Sequence, residues 1–149
     1  MSDILKYWPI PEFEPRPIQI KALEWLENQD AKYCFLQAPV GAGKSLIGAT
    51  FANYLKAEQR SNKGAFILTP QRILQEQYEK SFKRHFVASL YGKSNYACEQ
   101  MNTTCDIGST VKNRCHNCPF KQALETAKQT ENVVLNYKLA LLMFMYTDI

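Results

Sequence analysis

The chain has 149 residues, of which 46% are hydrophobic and 21% charged, which is typical of an ordinary soluble globular protein with one substantial core. Its formal net charge of +4 permits a nucleic-acid partner without requiring one. The longest apolar run, 139–146, is far too short to span a membrane, and charges and prolines near the start exclude the apolar core of a signal peptide. We therefore expect a cytoplasmic or nucleoid-associated protein that is not secreted and has no membrane partner.

Helices and strands are predicted to alternate along the chain. An extended lead-in with four prolines, 1–17, precedes a helix whose apolar stripe is Ile18, Ala22, Leu23, Trp25 and Leu26. Further helices are predicted over 43–59, 71–86, 120–129 and 138–145, and strands over 32–38, 64–70, 87–92 and 131–137, the first of them buried. This alternation predicts an α/β fold in which helices pack on a parallel sheet.

The segment APVGAGKS, 38–45, lies between the first strand and the next helix. It matches the phosphate-binding P-loop pattern except that Ala38 replaces the first glycine. Gly41 and Gly43 allow backbone N–H groups to surround phosphate oxygens. Lys44 supplies a cation for the outer phosphates, and Ser45 can ligate magnesium. A glycine-rich turn containing Lys-Ser by chance is the alternative, but the flanking strand and helix favour phosphate binding.

Two neighbouring segments carry further candidate residues. The Gln19 amide can both donate to and accept from an adenine edge, although a solvated helix residue is the preferred interpretation for Gln19 alone. Thr69, Gln71 and Arg72 follow the second strand, at the sheet edge where ligands of open parallel sheets gather. The alternative for these three residues is helix capping and surface charge.

Four of the five cysteines lie in one polar segment, at Cys98, Cys105, Cys115 and Cys118. In a cytosolic protein such a cluster is more often a metal site or a catalytic group than a set of disulfides. The C-x-x-C pair is a strong local metal signal, but the other two gaps are irregular, so spacing alone leaves zinc and iron–sulfur both open. Cys34 lies in the apolar run of the first strand and is expected in the core.

Six motifs occur in one order: RPIQ, APVGAGKS, ILTPQRILQEQ, GKSNYAC, CHNCPFKQALETA and NVVLNYKLAL. That order resembles the N-terminal part of XPD/DinG-type superfamily 2 DNA helicases. In that family a 4Fe-4S domain is inserted into the first RecA-like domain, after an element that Gly92 to Cys98 fits closely. Pro119 and Phe120 fit the residues that follow the family's last cysteine, and Asn136 and Tyr137 fit the end of its next strand.

The resemblance implies a RecA-like P-loop fold, a parallel sheet with helices on both faces, and a small inserted cysteine-rich iron–sulfur subdomain. It divides the chain into a lead-in, 1–17, a RecA-like P-loop part, 18–91, the inserted subdomain, 92–118, and a return to the RecA-like domain, 119–149.

The resemblance also implies ATP-driven translocation on single-stranded or forked DNA, 5′ to 3′, with strand separation at the cluster domain. DNA repair or replication proteins are then the partner class to expect. ATP and Mg²⁺ would be bound by Gln19, Ala38, Pro39, Val40, Gly41, Ala42, Gly43, Lys44 and Ser45, the last two being catalytic. DNA would be contacted by Thr69, Gln71, Arg72 and Lys93. The 4Fe-4S cluster, or alternatively Zn²⁺, would be held by Cys98, Cys105, Cys115 and Cys118.

Two features depart from the family. No acidic DEAH-type motif and no second RecA-like domain are present, so this chain is expected to be a fragment or a reduced relative that is inactive alone. One alternative is a non-enzymatic module that binds DNA or a partner helicase through the cysteine segment and through Lys93, Lys112 and Arg114. Another is a zinc-containing P-loop ATPase of a different kind.

Overall fold

The computed structural model describes residues 3–58, 64–82, 87–109 and 117–146. These residues fall into two compact units, Met1–Gly64 and Ala65–Ile149. The first unit contains the candidate phosphate loop, and the second contains the candidate DNA and cysteine residues.

The described part of the first unit is helical. A 3-10 helix, Asp3–Tyr7, is followed by α1, Pro17–Glu27, and α2, Lys44–Ala57. Pro17 begins α1, where its missing N–H costs nothing and its fixed φ suits a helix. The 3-10 helix shows that part of the lead-in is not extended, because Ile4 turns inward and is fully buried. The core of this unit comprises Ile4, Leu23, Leu26 and Ile47.

Only part of the predicted apolar stripe on α1 is buried. Leu23 and Leu26 lie in the core, whereas Ile18 and Trp25 are exposed. The core that α1 contacts is small, so it covers only a narrow face of the helix. Gln19 is instead the third buried side chain of α1, so the solvated position preferred for it above is wrong.

The buried strand predicted over 32–38 is absent. These residues form no strand, and the side chains of Tyr33 and Phe35 are 72% and 91% exposed. Cys34 is likewise exposed, so its expected core position is also wrong. A strand needs a neighbour for its backbone hydrogen bonds, and residues 3–58 contain no other strand.

The second unit alternates strands and helices, as predicted. In chain order it contains β1, Phe66–Thr69; α3, Arg72–Ser81; β2, Val87–Ser89; a 3-10 helix, Lys93–Asn95; β3, Ala97–Cys98; β4, Thr103–Thr104; α4, Cys105–Gly108; α5, Pro119–Gln129; β5, Asn132–Asn136; and α6, Tyr137–Tyr146.

Three of these strands form a parallel sheet in the order β1-β5-β2. Phe66 pairs with Val133 on one side of β5, and Val87 pairs with Asn132 on the other. The central strand β5 is almost entirely buried, as its continuous apolar run requires in a sheet covered on both faces. The predicted parallel sheet is therefore confirmed.

Helices α3, α5 and α6 pack against this sheet. The core comprises Leu90, Ala127, Val133, Leu135 and Ala140. Gln75 of α3 is fully buried, and its Nε2 donates to the carbonyl oxygens of Leu90 and Val134, each at 3.2 Å. This amide ties α3 to backbone on two neighbouring parts of the sheet.

The cysteine segment begins with a small antiparallel hairpin. Ala97 and Cys98 of β3 pair with Thr104 and Thr103 of β4. Asn102 in the turn has a φ of 48°, a left-handed conformation that asparagine tolerates better than most residues. The helical turn α4 follows β4 directly, so Cys105 lies at the open end of the hairpin, whereas Cys98 lies next to its turn. Cys115, Lys112 and Arg114 lie outside the described residues.

Candidate functional site

The candidate phosphate loop has the backbone conformation that its glycines were expected to supply. Gly41 and Gly43 have φ angles of 80° and 79°, in the left-handed region that favours glycine. Gly43 is the N-cap of α2, so Lys44 and Ser45 open a 14-residue helix. The free N–H groups and partial positive charge of a helix N-terminus favour an anion at this position.

Ala38 occupies the place of the first glycine of the pattern without backbone strain. Asn102 is the non-glycine residue with a positive φ in the described part of the chain, so Ala38 adopts an ordinary conformation. Its carbonyl oxygen accepts a hydrogen bond within the loop. The substitution therefore removes nothing that the loop needs for its shape.

Lys44 is folded back onto its own loop. Its Nζ donates to the carbonyl oxygens of Ala38 at 2.8 Å and Pro39 at 2.9 Å. Lys44 and Ser45 are both exposed, as is Val40 at the tip of the loop. The ammonium thus lies against the first carbonyl oxygens of the loop, while Lys44 itself is the first residue of α2.

Two residues at the start of α1, Arg16 and Gln19, donate hydrogen bonds to carbonyl oxygens of the phosphate loop. Gln19 accepts from the backbone N–H of Arg16 at 2.8 Å and donates to the carbonyl oxygen of Ala42 at 3.0 Å. The Arg16 guanidinium donates to the carbonyl oxygen of Gly41 at 3.2 Å. Both halves of the Gln19 amide are thus bonded to backbone groups, and Gln19 supports the loop at a position where it is only 3% exposed.

Gly43 is also required by its neighbours. A Cβ built at position 43 would collide with the Gln19 side-chain amide nitrogen. The buried glutamine and the second left-handed glycine are therefore packed against each other, which the sequence pattern alone does not indicate.

Three cysteines of the second unit line one cavity. Cys98, Cys105 and Cys118 are buried, and they border a cavity of about 170 Å³. The sulfur atoms of Cys105 and Cys118 are 3.6 Å apart. These three cysteines are not joined by disulfide bonds. In the described part of the chain, no group of three or more histidine, cysteine, aspartate or glutamate side chains is placed to hold a metal ion.

Local structure brings these cysteines together. The N–H of Cys105 donates to the carbonyl oxygen of Tyr96 at 2.8 Å, which fixes α4 to the strand that carries Cys98. Cys118 is the N-cap of α5, followed by Pro119 at the first helical position. A backbone N–H of α5, at Lys121, lowers the pKa of the Cys118 thiol, and the neighbouring Cys105 thiol adds to that effect. The thiolate, which is the form that binds metals, is therefore favoured here.

Gly108 leaves the space that the Cys98 side chain fills. A Cβ at position 108 would lie 2.5 Å from the Cys98 sulfur and 2.9 Å from its Cβ. Sequence reasoning missed this residue, because a single glycine in a polar segment carries no signal of what it faces.

The four candidate DNA residues do not share one environment. Thr69 is buried, and its hydroxyl donates to the carbonyl oxygen of Gln71 at 3.3 Å, whereas Gln71, Arg72 and Lys93 are exposed. The Arg72 guanidinium bonds to Glu76 and Asn95, and the Lys93 ammonium lies 5.6 Å from the centroid of the Phe120 ring.

The left-handed glycines at the start of α2 and the parallel sheet of the second unit define a mixed α/β protein of the RecA-like P-loop class. The chain belongs to the family described as Type III restriction enzyme, res subunit (ResIII), whose model matches residues 12–139. This family is a helicase-like superfamily 2 P-loop domain, so the resemblance to superfamily 2 helicases is confirmed at that level. No curated protein matches the chain. Among the described residues, no helix is long and apolar enough to cross a membrane.

Proposed function

We propose that the chain is the N-terminal ATP- and single-stranded-DNA-binding part of an ATP-dependent iron–sulfur DNA helicase that moves 5′ to 3′. The observation that carries the proposal is the phosphate loop, with two left-handed glycines just before α2 and the Lys44 ammonium bonded to the first carbonyl oxygens of the loop. Membership of a helicase-like family supports the same role.

ATP binding requires one local exchange of partners. The Lys44 ammonium leaves the carbonyl oxygens of Ala38 and Pro39 and binds the outer phosphates instead. The Ser45 hydroxyl, which is exposed at the start of α2, ligates the magnesium ion that accompanies ATP. The backbone N–H groups of the loop bind the remaining phosphate oxygens.

Nucleic-acid binding is assigned to the second unit. Arg72 and Lys93 are exposed cations, and Gln71 is an exposed amide at the N-cap of α3. Thr69 is buried and contributes indirectly, because its hydroxyl donates to the backbone carbonyl oxygen of Gln71 and helps to fix the position of that residue. Contacts of this kind bind the phosphates of a single strand and carry no base preference.

We assign a thiolate-bound metal centre to the cysteine cavity, and binding there would require the three described cysteines to change position, since they are not placed to hold an ion in this structure. Cys98, Cys105 and Cys118 supply three buried sulfur donors to one space, and Cys115 supplies the fourth ligand in this proposal. Four thiolates are the donor set of a 4Fe-4S cluster. When bound, such a cluster gives the segment a rigid core, since metal affinity and local folding are coupled.

The spacing of two sulfurs favours zinc as a second candidate. Two sulfurs bound at about 2.3 Å to one tetrahedral zinc lie about 3.8 Å apart. The 3.6 Å between the Cys105 and Cys118 sulfurs is close to that value, whereas cluster ligands bind separate irons and are spaced more widely. A zinc-containing P-loop ATPase is therefore the alternative that this distance supports.

Metal content separates the two candidates. The protein would be purified without oxygen, its visible spectrum recorded, and its iron, sulfide and zinc measured. We expect a brown protein with about four irons and four sulfides per chain. About one zinc per chain and no iron, in protein never exposed to added zinc, would overturn the iron–sulfur assignment and leave the zinc alternative.

A binding experiment tests the rest of the proposal. The full chain would be titrated with a fluorescent ATP analogue in the presence of Mg²⁺ and, separately, with labelled oligodeoxythymidine. We expect both to bind, with the DNA affinity falling as salt rises because phosphate contacts release counterions. Absence of nucleotide binding would contradict the role of the loop, and absence of DNA binding would contradict that of the second unit.

A further inference from the structure

Arg72, the first residue of α3, is held in a fixed position although it is exposed. Its Nε donates to the Glu76 carboxylate at 3.0 Å, and its Nη1 donates to the Asn95 side-chain oxygen at 2.9 Å. A guanidinium has five N–H donors, so three remain for another acceptor. The side chain is 61% exposed, which leaves it accessible to a phosphate.

Asn95 is fixed in turn by its own 3-10 helix. Its side-chain Nδ2 and its backbone N–H both donate to the carbonyl oxygen of Gly92, at 3.2 and 2.9 Å. The amide is thereby oriented so that its oxygen faces the arginine. The hydrogen bond between Arg72 and Asn95 spans 23 residues of sequence, and it joins α3 to the segment that precedes Cys98.

The aromatic ring of Tyr91 packs against the Arg72 guanidinium. The Arg72 guanidinium carbon lies 5.2 Å from the centroid of the Tyr91 ring, a separation that allows a cation–π contact. The Tyr91 hydroxyl donates to the Glu79 carboxylate at 3.2 Å. Burial and the nearby Glu79 raise the pKa of Tyr91 to about 12, so the phenol stays neutral and keeps this hydrogen bond.

We infer that Asn95 and Tyr91 are positioning residues that hold the Arg72 guanidinium in place for a phosphate of single-stranded nucleic acid. The inference rests on the proposed function, because it needs Arg72 to contact the strand. Fixing an arginine before it binds removes part of the entropic cost of ordering a long side chain on binding.

The same contacts continue toward the cysteine cavity. The backbone N–H of Tyr91 donates to the Tyr96 hydroxyl at 3.2 Å, and the Tyr96 ring meets Phe120 edge to face, with centroids 5.6 Å apart. The carbonyl oxygen of Tyr96 accepts from Cys105. A phosphate on Arg72 is therefore linked through Asn95 and the 91–96 segment to the residues that shape the cavity.

A double-mutant cycle tests the inference. The affinity of the full chain for labelled oligodeoxythymidine would be measured for the wild type, Arg72→Ala, Asn95→Ala and the double variant. We expect Arg72→Ala to weaken binding about tenfold, since it removes a charge-assisted contact. Asn95→Ala alone should weaken it about threefold, and should add nothing once Arg72 is absent. Ser94→Ala, at an exposed position in the same 3-10 helix, is the matched control and should bind like the wild type.

Equal losses from Asn95→Ala in the presence and absence of Arg72 would overturn the inference, because Asn95 would then act on its own. No loss from Asn95→Ala while Arg72→Ala weakens binding would overturn it as well.

Hydrogen exchange separates failure of this inference from failure of the proposed function. Arg72→Ala should speed amide exchange at Asn95 and Tyr96, whereas Asn95→Asp, which keeps the acceptor, should retain the protection that Asn95→Ala loses. That result together with DNA affinity unaffected by Arg72→Ala would support the link but refute the proposed DNA contact. Unchanged exchange in Arg72→Ala would refute the link itself.

Discussion

The phosphate loop and the cysteine cavity are built in different ways. The loop is formed by one continuous segment, and its shape depends on two left-handed glycines. The groups proposed to bind phosphate are its backbone N–H groups and the side chains of the adjacent Lys44 and Ser45. The cavity needs three side chains from separate points between Cys98 and Cys118, brought together by a hairpin, a helical turn and a helix N-terminus. A short motif therefore specifies the backbone conformation of the first site, to which Arg16 and Gln19 add hydrogen bonds. The second site depends entirely on residues that are separated in sequence.

The two sites also differ in how they satisfy their own polar groups. In the loop, four carbonyl oxygens accept side-chain hydrogen bonds: two from the Lys44 ammonium, one from Arg16 and one from Gln19. In the cavity, the Cys105 and Cys118 thiols face each other, and a thiol is only a weak donor and acceptor. We therefore expect a ligand to change the stability of the cysteine segment more than that of the loop.

The largest effect is expected at the cysteines. Cys105→Ser and Cys118→Ser should each abolish metal binding and make residues 92–120 sensitive to protease, because structural metal sites contribute about 10 kcal/mol or more to folding. Metal analysis and limited proteolysis measure this. Cys34→Ser is the matched control, since Cys34 is exposed and lies in the other unit. Full metal content in Cys118→Ser would contradict the site.

Lys44→Ala should come next. Removing the cation should weaken ATP binding by about 100-fold, because charge-assisted contacts to the phosphates are lost. The fold should be unchanged, since Lys44 is exposed and lies outside both cores. Titration with an ATP analogue and circular dichroism check the two statements. Lys21→Ala, an exposed lysine on α1, should bind ATP normally. Loss of helix signal in Lys44→Ala would count against a purely ligand-binding role.

Gly108→Ala should give an intermediate effect. The new methyl group would lie against the Cys98 sulfur, and overpacking of this kind costs about 1–3 kcal/mol. We expect lower metal content and weaker protection of the cysteine segment, with ATP binding unchanged. Metal analysis beside ATP titration would separate these outcomes. Metal content equal to the wild type would show that the hairpin can shift to admit the methyl group.

Gly48→Ala should have the smallest effect and the opposite sign. Position 48 lies inside α2, and a Cβ there meets nothing within 4 Å. Alanine should stabilise the first unit by about 0.5–1 kcal/mol, because glycine is a poor helix residue. Thermal unfolding would measure the gain. A destabilised Gly48→Ala would mean that position 48 is covered in the folded protein.

Much of the second unit could be predicted from its sequence. The apolar run within Asn132–Asn136, between two predicted helices, indicates a buried parallel strand, and the structure places it at the centre of the sheet. The hydrophobic period and the length of this run were sufficient to predict the strand, because the strands that pair with it lie in the same unit.

Other features could not be predicted, because they depend on which groups meet. The apolar run at 32–38 has the composition of a strand, but strand formation needs a partner that residues 3–58 lack. Gln19 and Gln75 interrupt no pattern, yet both are buried, and their amide nitrogens donate to backbone carbonyl oxygens far along the chain. The space for the Cys98 side chain likewise depends on Gly108, because a Cβ at position 108 would collide with that side chain. The sequence does not show that these two residues meet.

The ordinary conformation of Ala38 bears on how such loops should be recognised. Written as letters, the pattern treats its glycines alike. Written as dihedral angles, it requires a left-handed residue at Gly41 and Gly43, whereas at Ala38 it uses a carbonyl oxygen that every amino acid carries. A search that demands glycine at the first position would discard this chain, although its loop geometry is complete. Loops with other small residues at that position can therefore be retained as phosphate-binding candidates, provided that both left-handed positions are kept.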